Sequence, residues 1–186
     1  VRIAHVHSKP DHDNMFRRTF PSHNVDLDFT HTGDFGQTVG HVRAVGPSAI
    51  MVGAETGVLL AHDLAAIFHP SLGIESNGEG LPLRDKFLQS EKLKRNGVPA
   101  VSQIRSNDSR EILDWVRANK LFPGTVVLKP TMSAASDGVY FVENELDLIA
   151  KFNEIRRKPD LFGNPNHSVI AQEYLDGPEY VVNTVS

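Results

Sequence analysis

The sequence of 186 residues contains no cysteine. This absence excludes disulfide bonds and thiol chemistry, and it agrees with a cytoplasmic protein. Apolar runs stay shorter than a membrane span requires, since the longest, residues 57–68, is broken by His62 and Asp63. The formal net charge is -4 without a basic stripe, which argues against nucleic-acid binding. We therefore expect a cytoplasmic protein that binds neither membranes nor nucleic acid.

Short apolar runs alternate with helical patterns, which predicts an α/β chain. In the first part, strands are predicted over residues 3–6, 25–29 and 49–52, and helices over residues 35–44 and 58–68. The segment Gly53-Ala-Glu-Thr-Gly57 lies where the third strand meets a helix, the place where parallel sheets bind ligands. A polar, glycine-rich linker at residues 73–80 indicates a domain boundary.

The second part mixes helices with strands that return on themselves. Asn107 and Asp108 are candidates to cap a helix whose buried stripe is Ile112, Leu113 and Val116. Helices are predicted over residues 83–96, 109–119 and 145–157, and strands over residues 100–104, 168–174 and 179–185.

A β-hairpin predicted over residues 125–142 carries the strongest functional signal. Its first strand contains Lys129, which can place a compact positive charge beside an anion. Small residues in the loop leave backbone N–H groups uncovered, so several can converge on phosphate oxygens; they are Ser133, Ala134, Ala135, Ser136 and Gly138. The alternative is an ordinary surface hairpin with a solvated lysine.

Five segments in order resemble the ATP-grasp superfamily of carboxylate–amine ligases, most closely the amino-acid ligases that make dipeptides and peptide-like antibiotics. They are Val52-Gly-Ala-Glu-Thr-Gly-Val58, Arg84-Asp-Lys-Phe-Leu88, Val127-Leu-Lys-Pro130, Ser133-Ala-Ala-Ser-Asp-Gly-Val139 and Gln172-Glu-Tyr-Leu-Asp-Gly-Pro-Glu-Tyr180. The resemblance implies an ATP-grasp fold after a Rossmann-like domain with a parallel sheet. It implies that residues 1–80 form this first domain, incomplete at its start, and that residues 81–186 begin the ATP-grasp domain. Within the latter, a central lobe spans about residues 100–175, and residues 176–186 start the C-terminal lobe.

The resemblance also implies which residues bind ATP. Lys129 and Lys86 approach the phosphates from a sheet and from a helix, together with the hairpin loop. Glu173 accepts from the adenine amine, and Glu179 binds the ribose hydroxyls. The full expected set is Lys86, Lys129, Ser133, Ala134, Ser136, Asp137, Gly138, Glu173, Tyr174, Leu175 and Glu179. The resemblance also implies that Glu55 is a ligand of a substrate amine, although a glutamate at a helix N-terminus is also a plain stabilising choice.

The resemblance implies an enzyme that uses ATP and Mg²⁺ to activate an amino acid or similar carboxylate as an acylphosphate and join it to an amine. The family's magnesium ligands and catalytic arginine have no counterpart in these 186 residues, so they are expected beyond Ser186. Related enzymes are often dimers, which makes a homodimer an expectation. The alternatives are a non-catalytic nucleotide-binding module, a purine-pathway or carboxylase-type ATP-grasp enzyme, and a dinucleotide-binding oxidoreductase, which lacks its Gly-x-Gly-x-x-Gly motif here.

Ala135 stands where many relatives of the family have glycine, so a positive φ there would strain the loop.

His5 and His7 share one face of a predicted strand, with Asp11, His12 and Asp13 close behind. Because no cysteine and no helical His-Glu-x-x-His accompanies them, the sequence predicts no metal ligand within this chain.

Overall fold

The structure is a computed structural model that describes residues 2–9, 22–75 and 78–180. Asp11, His12, Asp13 and most of the strand predicted over residues 179–185 lie outside these ranges. The chain divides into two compact units, Val1–Asp85 and Lys86–Ser186. Within the described ranges, none of the helices is both long enough and apolar enough to cross a lipid bilayer.

The first unit holds a small parallel sheet with two helices. Strands β1 (Ala4–His7) and β2 (Leu27–Thr30) pair in parallel, with His5 opposite Asp28. Helix α1 (Phe35–Val45) begins after Asp34, whose carboxylate caps it by accepting from the Gln37 amide at 3.0 Å. Helix α2 (Val58–Phe68) has the predicted bounds. The buried core consists of Val39, Val42, Leu64 and Phe68, with Val6, Phe29, Ile50 and Leu60 packed against it.

The predicted strand at residues 49–52 is wrong, because these residues pair with no strand among those described. Ile50 packs against the core, but the Met51 side chain is 86% exposed. A cavity of about 660 Å³ is lined both by residues of β1 and by residues between 47 and 57. The segment lines this cavity, and the Ile50 amide donates to Nε2 of His69 at 3.0 Å rather than to a strand.

The second unit is a four-stranded antiparallel sheet with helices. Its strands are β3 (Gln103–Ser106), β4 (Val126–Pro130), β5 (Tyr140–Val142) and β6 (Val169–Glu173), in the order β3-β6-β4-β5. Pairing of β4 with β5 confirms the predicted hairpin. The helices are α3 (Lys86–Arg95), α4 (Ser109–Ala118) and α5 (Glu145–Arg157). Helix α3 begins later than predicted, because a short 3₁₀ turn, Leu81–Leu83, precedes it.

The two faces of this sheet have different surroundings. One face packs on α4 and α5 and forms the core, which includes Ile112, Leu113, Val116, Val126, Leu128, Val142, Leu148, Phe152, Ile155, Val169 and Ala171. Because side chains alternate along a strand, Val127, Lys129, Phe141 and Gln172 lie on the opposite face. The lysine predicted to bind phosphate is therefore on the face opposite α4 and α5.

Candidate functional site

Lys129 lies half-buried on β4, on the face opposite the helices. Its ammonium donates a hydrogen bond to the side-chain oxygen of Gln172 on β6. Burial lowers the pKa of Lys129, and the positive charge of Lys86 lowers it further. A cation held in this way, out of water and near a second cation, gains stability when an anion binds beside it.

Lys86 reaches the same place from the first turn of α3. Its backbone amide donates to the carbonyl of Thr131 at 3.0 Å, which fixes the start of the helix beside the end of β4. Its ammonium donates to the carbonyl of Ser133, the first residue of the phosphate loop, residues 133–138. The structure thus brings both predicted lysines to one loop from different elements.

Asp137 holds the phosphate loop together. Its carboxylate accepts from the Ser133 hydroxyl at 2.6 Å and from the Leu161 amide at 2.9 Å. Its own amide donates to the Ala134 carbonyl at 3.0 Å, closing a tight turn. These contacts fix the conformation of the loop. The negative charge of Asp137 would repel a phosphate at close range, so we expect Asp137 to position the loop rather than to contact an anion.

The loop passes through the left-handed region of backbone conformation. Ala135 has a φ of 52° and Ser136 a φ of 58°. Ala135, which stands where many relatives of the family have glycine, therefore has a conformation that costs a non-glycine residue roughly 1–2 kcal/mol. Among the described residues, the amides of Ala134, Ala135, Ser136 and Gly138 have no hydrogen-bond acceptor, so they are available to an anion.

A cavity of about 70 Å³ marks the point where the lysines and the loop meet. Its volume is about that of two water molecules in the liquid, so it accommodates one anionic group rather than a whole nucleotide. The 660 Å³ cavity of the first unit is much larger, but none of the predicted nucleotide ligands lines it. The small cavity is the candidate anion site, because a polyphosphate is selected by the positive charge that lines a cavity and not by the volume of the cavity. Its lining residues are Lys86, Lys129, Pro130, Ser133, Ala134, Ala135, Ser136, Asp137 and Val139.

The predicted adenosine ligands follow β6. Glu173 ends that strand, and its carboxylate accepts from the Ser102 amide at 2.7 Å. A carboxylate offers about four lone-pair sites, so this bond leaves capacity for a second donor. Tyr174, Leu175 and Glu179 are exposed in the segment that follows.

No family model matches the chain. Dapdiamide A synthase of Enterobacter agglomerans is 31% identical over 164 residues, which are 87% of this chain and 37% of that protein. The chain therefore spans little more than a third of this relative's length.

Solved structures supply the fold. The biotin carboxylase domain of the Hydrogenobacter thermophilus 2-oxoglutarate carboxylase, a dimer in complex with MgADP, ADP and bicarbonate, superposes with a TM-score of 0.57 at 18% identity, over 95% of this chain and 39% of that one. D-alanine–D-alanine ligase of Bacillus anthracis superposes with a TM-score of 0.55 at 17% identity, over 95% of this chain and 58% of that one. These superpositions show that the chain has an ATP-grasp fold.

Two residues near this candidate site were not predicted from the sequence. Gln172 was expected only as part of the motif Gln172-Glu-Tyr-Leu-Asp-Gly-Pro-Glu-Tyr180, but its side chain holds the Lys129 ammonium. Phe141 lies on the same sheet face as Lys129, is 63% exposed, and contacts the Tyr174 ring edge-on at 5.9 Å between centroids. The alternation Tyr-Phe-Val in β5 was the available signal, since it places Phe141 opposite the core.

Glu55 belongs to the first unit. It begins the 3₁₀ turn Glu55–Gly57 before α2 and forms an ion pair with Arg84, which holds its carboxylate in place. Its role as a substrate ligand remains a prediction.

Gly138 permits a test of the loop. A Cβ added there would lie 3.1 Å from Cδ and 3.2 Å from Cγ of Pro130, at a φ of 69°. We expect Gly138→Ala to cost about 1–2 kcal/mol of stability through backbone strain and also to weaken nucleotide binding by shifting the loop. Gly163→Ala is the matched control, because Gly163 has a φ of 79° with nothing within 4 Å of an added Cβ. Gly163→Ala should lose stability but bind nucleotide with the wild-type affinity, measured by calorimetry. Equal nucleotide affinities of Gly138→Ala and Gly163→Ala would contradict the assignment of the loop.

Proposed function

We propose that the second unit binds ATP, and that the full-length protein is an ATP-dependent carboxylate–amine ligase acting on an amino acid or similar small carboxylate. The observation that carries this proposal is the convergence of Lys86 and Lys129 on the phosphate loop. Two cations with several uncovered amides offset the charge of a polyphosphate without a Walker loop. Dapdiamide A synthase, as the related sequence, supports the ligase class.

In this proposal the nucleotide lies along the face of the sheet opposite α4 and α5. The phosphates bind Lys86, Lys129 and the free loop amides. The adenine lies beside β6, where Glu173 accepts from its amine and backbone groups near Tyr174 and Leu175 contact its ring edge. Phe141 adds an exposed aromatic surface on the same face, suited to stacking on a base. Glu179 binds the ribose.

The proposed chemistry has two steps. A carboxylate oxygen attacks the γ-phosphorus of ATP, the bond to the β–γ bridging oxygen breaks, and ADP leaves. The resulting acylphosphate is attacked at its carbonyl carbon by the amine nitrogen, the carbon–oxygen bond to phosphate breaks, and the nitrogen loses a proton. Lys86 and Lys129 stabilise the charge that develops on the transferred group.

Mg²⁺ completes the proposed cofactor set, and it would neutralise phosphate charge when bound. The MgADP bound by the related carboxylase domain supports this expectation. We assign no magnesium ligand and no catalytic residue within the 186 residues.

A carboxylase-type reaction is the second candidate, because the related carboxylase domain superposes on 95% of the chain. The two reactions differ in the acceptor of the phosphoryl group. A carboxylase would release ADP in response to bicarbonate, and a ligase in response to an amino acid with an amine. A non-catalytic module would bind ATP and respond to neither.

The test is ADP release by the full-length protein with Mg-ATP, first with a panel of amino-acid pairs and then with bicarbonate. We expect ADP and phosphate in equal amounts, only when both amino acids of a productive pair are present. Release that follows bicarbonate alone would replace the ligase by the carboxylase reading. Release of AMP and pyrophosphate would mean an adenylate intermediate and overturn the mechanism.

The oligomeric state, the cellular location and the domain boundary remain predictions. The dimeric state of the related carboxylase domain supports a homodimer, which light scattering of the full-length protein would test. Cytoplasmic location and the assignment of residues 1–80 and 81–186 to two domains have the support of the sequence pattern. Limited proteolysis would test the boundary, with cleavage expected in the linker at residues 73–80.

A further inference from the structure

Three potential metal ligands converge in the first unit, whereas the proposed nucleotide ligands belong to the second. His5 and His7 are two residues apart on β1, so their imidazoles share one face of the sheet. Asp28 on β2 pairs with His5 in the parallel register and lies on that face as well. Their ligand atoms all lie within 4.8 Å of one another.

The distances show how tightly the three groups are arranged. Nδ1 of His5 and Nε2 of His7 each lie 2.9 Å from Oδ1 of Asp28. A tetrahedral ion with bonds of about 2.0–2.2 Å holds its ligand atoms about 3.3–3.5 Å apart. Small rotations of the three side chains would therefore admit an ion at their centre without a change in the backbone.

The two histidines of this cluster are partly buried, and the carboxylate is exposed. The side chains of His5, His7 and Asp28 are 26%, 13% and 39% exposed, respectively. The two rings meet edge to face with centroids 4.3 Å apart, so packing limits their rotation. Both histidines also line the 660 Å³ cavity, which gives small molecules space near the cluster.

We propose that His5, His7 and Asp28 form a three-ligand site for a transition-metal dication of the zinc class. Two imidazoles and one carboxylate are a donor set that suits zinc, nickel or ferrous iron, whereas magnesium prefers oxygen ligands alone. Three protein ligands leave a coordination position open, as in catalytic rather than structural zinc sites. The site is distinct from the magnesium of the proposed ligase reaction and does not depend on that proposal.

The competing explanation is that Asp28 is a hydrogen-bonded bridge between the two histidines and only fastens β1 to β2. Such a bridge needs an acceptor at position 28 but no ion. Asp28→Asn keeps the size and a carbonyl acceptor while removing the ionised ligand. This variant therefore separates the metal site from the bridge.

The experiment uses the full-length protein, without an affinity tag, after dialysis against a chelator and without nucleotide. Zinc is titrated by calorimetry, and cobalt by its visible absorption, which reports coordination geometry. We expect one ion per chain, with an affinity that excess magnesium does not reduce. His7→Gln and Asp28→Asn should each weaken zinc binding at least about tenfold. His23→Ala, which removes an exposed histidine of the same unit, should leave it unchanged.

Each result decides the proposal. A zinc-dependent rise in the melting temperature that is lost in Asp28→Asn would support the site, because an ion that binds only the folded state stabilises it. Circular dichroism of the chelated variants verifies that they are folded. Zinc binding that survives both His7→Gln and Asp28→Asn, or the absence of a one-to-one complex in folded wild-type protein, would overturn the proposal.

Discussion

Replacing Lys129 by methionine should raise the dissociation constant of ATP by about a hundredfold or more, because a charge-assisted contact to phosphate contributes about 3 kcal/mol. Methionine keeps the length and apolar stem of lysine and removes only the ammonium. Burial and the neighbouring Lys86 already disfavour the charged form of Lys129, as its lowered pKa shows. In the complex, the phosphates supply the counter-charge that the protein alone does not.

Lys129→Met should lose ATP affinity but gain folding stability. The folded state lowers the pKa of Lys129, so its charge opposes folding at every pH below that lowered value. This unfavourable contribution disappears as the pH rises through the lowered pKa towards that of the unfolded chain. Lys129→Met should therefore be at least as stable as the wild type at neutral pH, and its advantage should shrink in alkali.

Lys151→Met is the control for charge. Lys151 lies on α5 and forms an ion pair with Glu154 at 2.8 Å, outside the phosphate loop. Calorimetric titration with ATP should give the wild-type affinity for this variant. Wild-type affinity in both Lys129→Met and Lys86→Met would contradict the nucleotide site.

Leu128→Ala should destabilise the second unit by about 2–5 kcal/mol, because it leaves a cavity in a packed core. Leu128 precedes Lys129 on β4 and points to the other face, where it is fully buried among α4, α5 and the sheet. Hydrogen exchange of the β4 and β6 peptides, followed by mass spectrometry, reports this loss within the full-length protein.

Leu146→Ala is the matched control for that substitution. Leu146 lies on α5 and is 81% exposed, so the same change should alter stability by no more than about 0.5 kcal/mol. If the two variants exchanged at the same rate, the assignment of the sheet's core face would be wrong. The neighbouring changes at positions 128 and 129 thus separate stability from binding along one strand.

Local patterns were sufficient for most elements. The spacing of apolar residues predicted α2 and α5 to the residue, and Asp108 caps α4 as expected. These signals are short-range, since capping and helical periodicity depend on residues within a few positions of each other. The predicted strand at residues 49–52 failed because a strand needs a partner, and no local pattern records whether one is adjacent.

The sequence by itself determined the fold class of this protein. Its ordered motifs indicated an ATP-grasp chain, and its β-branched run ending in Lys129 indicated the hairpin and loop. The tertiary structure decided which distant side chains meet: Gln172 at the Lys129 ammonium, Lys86 at the Ser133 carbonyl, and Asp28 between His5 and His7. Such contacts depend on strand register and on how helices dock, which are fixed by long-range packing rather than by neighbours in the chain.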